Sequence, residues 1–325
     1  MPRPAATKPN MPPAPDTVSI LIITRNTCAL TRAAVASVHE SRDSLRKEMI
    51  IVDNGSTDDT AAALPREFCD VKYIRSERNL GFAGANNLGA RQAAGEFLLL
   101  LNSDARLQPD SLRLAVEWMR AHPDCGIAGA QLFSPDGSRQ NSIANFPTLA
   151  TELLNKSLLR RVFPKRFPGK EQQFREPVEV ESVIGAFMLV REAVWRAVGG
   201  MDERYFFFLE ETDFCRAARE RGWKVFHLPQ VKVWHEQGGS AGQVQAAARI
   251  EYWRSRYTYF AKHHSAWTRA VLRPGLVVRL AANWLCSGLL FLASGSARRR
   301  NAWQVNHALL CWHLRFCPAG EGLPR

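Results

Sequence analysis

The chain has 325 residues, 46% of them hydrophobic, enough for one large α/β domain with appended structure. Its formal net charge is +12, much of it after Arg249; this calls for anionic partners without choosing among nucleic acid, phospholipid and phosphate-bearing substrates. Seven scattered cysteines with no CxxC pair argue against a disulfide framework or zinc site and fit reduced thiols in a cytosolic setting.

Residues 1–16 are rich in Pro, Ala and Lys and lack an apolar segment, so they read as a disordered leader and not a secretory signal. From Val18 to Phe133 apolar runs alternate with helical patterns. VSILIIT precedes a helix with Leu30, Ala34, Val35 and Val38 on one face, and EMIIVD precedes a short helix to Leu64. VKYIRS, a Gly- and Asn-rich helix, EFLLLLN, a helix from Pro109 to Ala121, and GIAGAQLF follow. Repeated βα units predict a mainly parallel sheet with helices on both faces.

SPDGSR reads as a hairpin turn and PKRFPGKEQQFREP as a long charged loop. Ordered structure returns with VEVESVIGAFMLV. FFFLEETDFCRAARERGW then enters a helix stopped by Gly222, and WKVFHLP makes one more strand. Beyond Gly242 the pattern is helical, aromatic and basic. The expected division is therefore a leader at 1–16, a catalytic-type α/β domain at 17–242 and a helical region at 243–325. Leu276 to Leu292 falls short of the ~20 residues of a membrane span and contains Arg279 and Asn283, so it is expected to lie on a membrane or pack in protein.

Five segments carry candidate chemistry. IIVDNGSTDDT ends an apolar strand at Asp53, where open α/β sheets bind ligands; Asp53, Asn54, Ser56, Thr57 and Asp58 could hold a nucleotide's base and ribose, or simply form an Asx-type turn that caps the next helix. RNLGFAGANNLGA offers close backbone approach at Gly81 and amides at Asn79, Asn86 and Asn87, as in a phosphate cradle, but it is not a GxGxxG fingerprint. Asn102-Ser103-Asp104 ends a second apolar strand, where a carboxylate can hold Mg²⁺ or Mn²⁺ against a diphosphate or merely cap a helix. Glu210, Glu211 and Asp213 stand between three phenylalanines and a helix; apolar surroundings raise a carboxylate's pKa and suit a general base, while the helix dipole is the structural alternative. WHEQGGS places His235 after a strand and before a Gly pair.

Taken in order, VSILIITRN, IIVDNGSTDDT, RNLGFAGANNLGA, LLLLNSDA, GAFMLV, MDERYFFFLEETDFCRAARERGW and WHEQGGS resemble the family 2 inverting glycosyltransferases of GT-A fold, in particular a bacterial rhamnosyltransferase-like branch that builds cell-surface polysaccharide. The resemblance runs from about Val18 to Ser240. It implies that Asp53 contacts the nucleotide base, with Thr24 and Asn26 nearby, and that Asn54, Ser56, Asn79, Gly81, Asn86, Asn102 and Gly185 belong to the nucleotide-sugar site. It also implies that Asp104 and His235 hold Mg²⁺ or Mn²⁺, that Glu211 is the base and that Asp213 is the acid just beyond it. Two positions depart from the commoner pattern: Asn102 stands where the first metal-binding acid is expected, and Glu211 where Asp is usual.

The implied reaction moves a sugar, rhamnose among the candidates, from a nucleoside-diphosphate sugar to a hydroxyl of a lipid-linked or glycan acceptor, with inversion. The basic, aromatic C-terminal region is expected to touch the inner face of an anionic membrane, or else to present a solvated basic face. A nucleic-acid partner is not expected, because the strand-end acids would repel a phosphate backbone. A nucleotidyltransferase of similar fold and a non-catalytic binding protein are the alternatives.

Overall fold

The computed structural model describes residues 13–164, 166–167, 172–236 and 245–323. Most of the expected leader, part of the expected charged loop and the Gly238-Gly239 pair lie outside these residues. The first half of the chain alternates β1 (Ala14–Thr24), α1 (Cys28–His39), β2 (Arg46–Asn54), α2 (Thr60–Glu67), β3 (Lys72–Ser76), α3 (Gly81–Ala90), β4 (Gly95–Asn102), β5 (Ala105–Leu107), α4 (Ser111–Ala121) and β6 (Cys125–Phe133). Shorter elements follow: β7 (Ile143–Ala144), α5 (Leu149–Leu153), α6 (Lys156–Val162), β8 (Val178–Glu179), β9 (Ser182–Val183), β10 (Phe187–Arg191) and α7 (Glu192–Val198). The chain then forms α8 (Glu210–Glu220), β11 (Lys224–His235), α9 (Gln245–His263), α10 (Ala266–Ser294) and α11 (Ala297–Leu314).

The main sheet has the order β3-β2-β1-β4-β10-β6-β11-β5, with β8 added alongside β11. β3, β2, β1 and β4 are parallel, as are β6 and β11, whereas β10 runs antiparallel to both β4 and β6. Leu98 to Leu101 are all buried because helices cover both faces of the sheet, which is why β4 reads as a continuous apolar run and not as an alternation. Each such side chain contributes roughly 1.5–3 kcal/mol on burial.

The stretch VEVESVIGAFMLV is not one strand: β8, β9 and β10 divide it between two sheets, β8 pairing with β11, β9 with β7, and β10 with β4 and β6. Conversely, WKVFHLP does not stop at its proline. β11 continues through Pro229 to His235 and absorbs the proline in a register shift between Leu228 and Lys232. His235 is thus the last residue of a sheet strand, beside Ala105 of β5.

The C-terminal helices close a third apolar cluster, in which Tyr205 packs with Trp253, Tyr259, Phe260, Leu276, Leu280 and Trp312, and Leu209 lies against it. α10 is longer than the apolar run suggested: it starts at Ala266, where the Ser265 side chain caps it by accepting from the Thr268 N–H, and it carries Pro274 in its third turn. One face is packed through Leu272, Leu276 and Leu280, but Leu285, Leu289, Leu290 and Leu292 are exposed.

Candidate active site

The carboxyl ends of β1, β2 and β4 are joined by a network of hydroxyls and amides. Thr27 Oγ1 lies 3.0 Å from Ser103 Oγ, and the Asn26 backbone N–H donates to Ser56 Oγ at 3.0 Å. Asn26 sits in the left-handed region at φ 54°, and its Oδ1 accepts from the Thr57 N–H at 2.8 Å. Asp53 is fully buried: Oδ1 accepts from the Ser56 N–H at 2.9 Å and Oδ2 from the Tyr73 hydroxyl at 2.7 Å. Asp53 thus holds a turn through Ser56, with Tyr73 as an added partner, but it does not cap the next helix, whose N-cap is Asp59. Burial, and then that hydrogen bond to Asp53, push the Tyr73 phenol well above its ordinary value.

Several residues expected to hold a nucleotide are engaged within the protein. Thr24 is buried, with its hydroxyl 2.8 Å from that of Thr31. Asn54 and Asn79 staple the end of β2 to the entry of α3: Asn54 Nδ2 donates to Asn79 Oδ1 at 3.0 Å, and Asn54 Oδ1 accepts from the Leu80 N–H at 2.7 Å. The close approach at Gly81 is made by the protein itself, since a Cβ there would meet the Phe206 carbonyl oxygen at 2.2 Å. The Phe82 N–H is already given to that carbonyl, so the start of α3 is not a free phosphate cradle. Asn86 is fully buried and donates to the Phe82 carbonyl one turn back.

A second group stays together at the open end. Asp104 and His235 face one another, Oδ1 to Nε2, at 3.4 Å. The ring orientation is set by Gln140, which sequence reasoning missed. Its Nε2 donates to the His235 carbonyl at 2.7 Å and to Ser134 Oγ at 3.0 Å, so its Oε1 must face His235 Nδ1, 2.9 Å away. Nδ1 therefore carries the hydrogen, and in the neutral ring the Nε2 lone pair points at a carboxylate oxygen. A proton or a cation satisfies that pair.

Asn102, two residues before Asp104 at the end of β4, has a buried Oδ1 with no hydrogen-bond partner among the described residues. One carboxylate, one imidazole and an amide oxygen are donors suited to Mn²⁺ or Mg²⁺ completed by water and phosphate oxygens. Among the described residues no cluster of three or more His, Cys, Asp or Glu forms a closed metal cage.

Glu211 lies in the first turn of α8, near enough to Gly185 that a Cβ on that glycine would come 3.8 Å from the Glu211 Cβ. The loop before it is strained, because Phe208 and Leu209 both adopt left-handed backbone, at φ 74° and 68°. α9 holds this loop: Ser255 Oγ donates to the Phe207 carbonyl at 2.8 Å, and the Phe208 and Tyr252 rings meet edge to face at 5.6 Å. Burial pushes the Glu211 carboxyl up to about 6. Glu210 is raised further, first by burial and then by the charge of Glu211, so Glu211 is the member of the pair that ionises near neutral pH.

Asp213 differs from its neighbours. Oδ1 accepts from His263 Nε2 at 2.6 Å and from the Tyr205 hydroxyl at 3.1 Å, while Oδ2 accepts from Lys262 Nζ at 2.7 Å. With three partners, two of them on α9, this carboxylate braces α8 against α9 and is not placed as a free acid or base.

The family model for glycosyl transferase family 2 matches residues 19–199. The chain belongs to that family. The transferase is 30% identical over 240 residues to the N-acetylglucosaminyl-diphospho-decaprenol L-rhamnosyltransferase of Mycobacterium tuberculosis, a match covering 69% of this chain and 78% of that protein. In fold it is similar to the mannosyltransferase of Pyrobaculum calidifontis in complex with GDP-Man and Mn²⁺, with a TM-score of 0.57 at 19% identity, covering 98% of this chain and 90% of that one. It is also similar to GalNAc-T7 with UDP, GalNAc and Mn²⁺, with a TM-score of 0.56 at 15% identity; the match covers 76% of the transferase and only 50% of that chain. The likeness to both structures confirms the GT-A fold. The protein is a glycosyltransferase, and the nucleotidyltransferase and non-catalytic alternatives fall away.

Proposed function

We propose that the transferase moves a hexosyl residue, rhamnose in the first instance, from a nucleoside-diphosphate sugar to a hydroxyl of a lipid-linked glycan in cell-surface polysaccharide synthesis, with inversion. The observation that carries this reading is Glu211, half-buried beside Gly185 with its carboxyl raised to about 6. At neutral pH it is ionised yet poorly solvated, which suits removal of a proton from the acceptor hydroxyl as that oxygen attacks the anomeric carbon. A single displacement from the face opposite the leaving diphosphate inverts the anomeric centre.

Asn26, Ser56 and Asp53 would line the nucleotide end at the strand termini. Asp104 and His235, with Asn102 beside them, would hold Mn²⁺ or Mg²⁺, which supplies positive charge for the departing diphosphate. The rhamnosyltransferase activity of the mycobacterial relative supports the choice of sugar and of a lipid-diphosphate acceptor. α10 and α11 contain no Asp or Glu, carry Arg269, Arg273, Arg279, Arg298, Arg299 and Arg300, and expose Leu285, Leu289, Leu290 and Leu292; this combination suits the cytoplasmic surface of an anionic membrane.

The deciding experiment incubates the protein and Mn²⁺ with a panel of nucleotide sugars, follows nucleoside diphosphate release, and reads the product's anomeric configuration by NMR. Release with an inverted product is expected. A retained configuration would rule out the direct displacement by Glu211.

A further inference from the structure

Among the described residues the exposed large hydrophobic side chains fall in two stretches of the chain, 154–163 and 267–316, and the sheet contributes none. The second stretch belongs to α10, α11 and the turn after them. The first is α6 with its flanks, where Leu154, Leu158, Val162 and Phe163 are each more than half exposed. Leu158 and Val162 stand one helical turn apart on the outside of α6, with Leu154 just before its N-cap and Phe163 just after its last residue. Leu159 points the other way and is buried.

The segment is fastened at both ends, so its outward face has a fixed place on the molecule. The Asn155 side chain caps α6 by accepting from the Ser157 and Leu158 N–H groups at 2.9 and 3.2 Å. Two residues earlier, Leu153 of α5 packs onto Gly275 of α10, where a Cβ would sit 2.8 Å from Leu153 Cδ2. Beyond the helix Arg166 pairs with Glu181, which also accepts from the Phe146 N–H at 2.7 Å. The charged residues from 153 to 170 are Lys156, Arg160, Arg161, Lys165, Arg166 and Lys170, all cationic. Four apolar side chains left in water forfeit the burial that an apolar boundary would give them, and cations beside them favour a boundary that is also anionic. A second copy of the chain would bring the same cations and be repelled. With seven residues, about 10 Å of helix, α6 is far too short to cross a bilayer and can only lie along its surface.

We infer that α6 docks in the surface of an anionic membrane, with Leu154, Leu158, Val162 and Phe163 among the acyl chains and Arg160 and Arg161 at the lipid phosphates. The inference extends the membrane reading of α10 and α11 to a segment outside the C-terminal helices, and rests on that reading only in taking lipid as the shared partner. The two contacts are joined through α5, since Leu153 rests on Gly275 and Arg279 of α10 donates to the Glu152 carbonyl. Contacts on two separate elements restrain how the sheet domain is turned relative to the lipid, whereas one helix alone would leave it free to roll about that helix.

The test floats the full chain with vesicles of phosphatidylglycerol or of phosphatidylcholine, at low and high salt. Wild type is compared with Leu158→Ser/Val162→Ser/Phe163→Ser on α6 and with Leu285→Ser/Leu289→Ser on α10. The α6 variant should lose at least about tenfold in partition onto phosphatidylglycerol, and wild type should bind phosphatidylcholine at least about tenfold more weakly. High salt should weaken the anionic binding. Melting temperature and donor turnover with a soluble acceptor should be unchanged in the α6 variant, because the substituted side chains are exposed. Separately, Phe163→Trp places a fluorophore at the contact, and its added emission should be quenched by brominated acyl chains. Flotation of the α6 variant equal to wild type, or added emission that stays unquenched on bound protein, overturns the assignment to α6. If only the α10 variant comes off the vesicles, the contact on α10 and α11 stands without α6. A response of the Phe163→Trp emission to RNA or polyglutamate, with none to lipid, overturns the choice of partner in favour of a polyanion. Flotation that depends on α6, in a wild type that releases no nucleoside diphosphate from any donor, would instead sink the transfer reading and leave the docking in place.

Discussion

Glu211→Gln separates chemistry from stability in one variant. The substitution keeps the size and most contacts of the side chain but removes its ability to accept a proton, so turnover should fall by about 10²–10⁴-fold while the donor Kd changes little. Stability should move the other way. A carboxyl raised from its ordinary 4.5 to about 6 makes the ionised native state less stable by about 2 kcal/mol. The native form binds its proton more tightly than the unfolded chain, so stability is full below about pH 4.5 and is lost as pH rises through about 6. Gln removes that loss. The variant should melt several degrees above wild type at pH 7.5, and the gap should close by pH 4.5. In the wild type, kcat/KM should fall about tenfold per pH unit below about 6 as the base protonates. Nucleotide release assays at saturating donor, calorimetry for the donor Kd, and thermal melts at the two pH values make the comparison. A Gln variant with near-wild-type turnover refutes the base assignment; equal melting gaps at both pH values refute the raised carboxyl.

Gln140→Leu removes the acceptor that fixes His235, and Mn²⁺-dependent thermal stabilisation by donor nucleotide should weaken about 10–100-fold in metal affinity, with a lower metal-free melting temperature as the buried His235 loses its partners. Asp213→Ala removes the shared acceptor of Tyr205, Lys262 and His263, while Lys262 keeps Asp202, and should cost about 1–3 kcal/mol in urea unfolding; a loss below about 0.5 kcal/mol would show that the brace is not structural. Gly81→Ala puts a Cβ 2.2 Å from the Phe206 carbonyl at a φ of 72°, so the FFF loop must shift; a lowered melting temperature and reduced turnover are expected together.

The strand ends were legible because apolar runs that stop at Asp53 and Asp104 have a clear physical signature in a sheet covered on both faces. What those carboxylates and amides touch was not. Asn54, Asn79, Asn86 and Gly81 carry the residue types of a ligand site, yet an asparagine that staples a turn and one that binds ribose look alike in one dimension. Gln140 offered no signal at all: it follows a hairpin turn, and its value to His235 depends on a contact 95 positions away. The break-up of VEVESVIGAFMLV was hidden for a related reason, since each fragment has acceptable strand character and only the tertiary partners distinguish them. The bracing of Asp213 was equally invisible, because Lys262 and His263 come from a helix assigned to a different region.

The strained turn at Phe208 and Leu209 has a temporal consequence. Its clamps, Tyr252 and Ser255, and the partners of Asp213, Lys262 and His263, are encoded after the whole sheet. During synthesis the sheet can fold while α9 is still within the ribosome, but the turn before Glu211 is clamped only once that helix emerges. The order of residues along the chain therefore leaves Glu211 unseated until the C-terminal helical region has left the ribosome. A nascent chain can hold its sheet before it can spend a donor sugar.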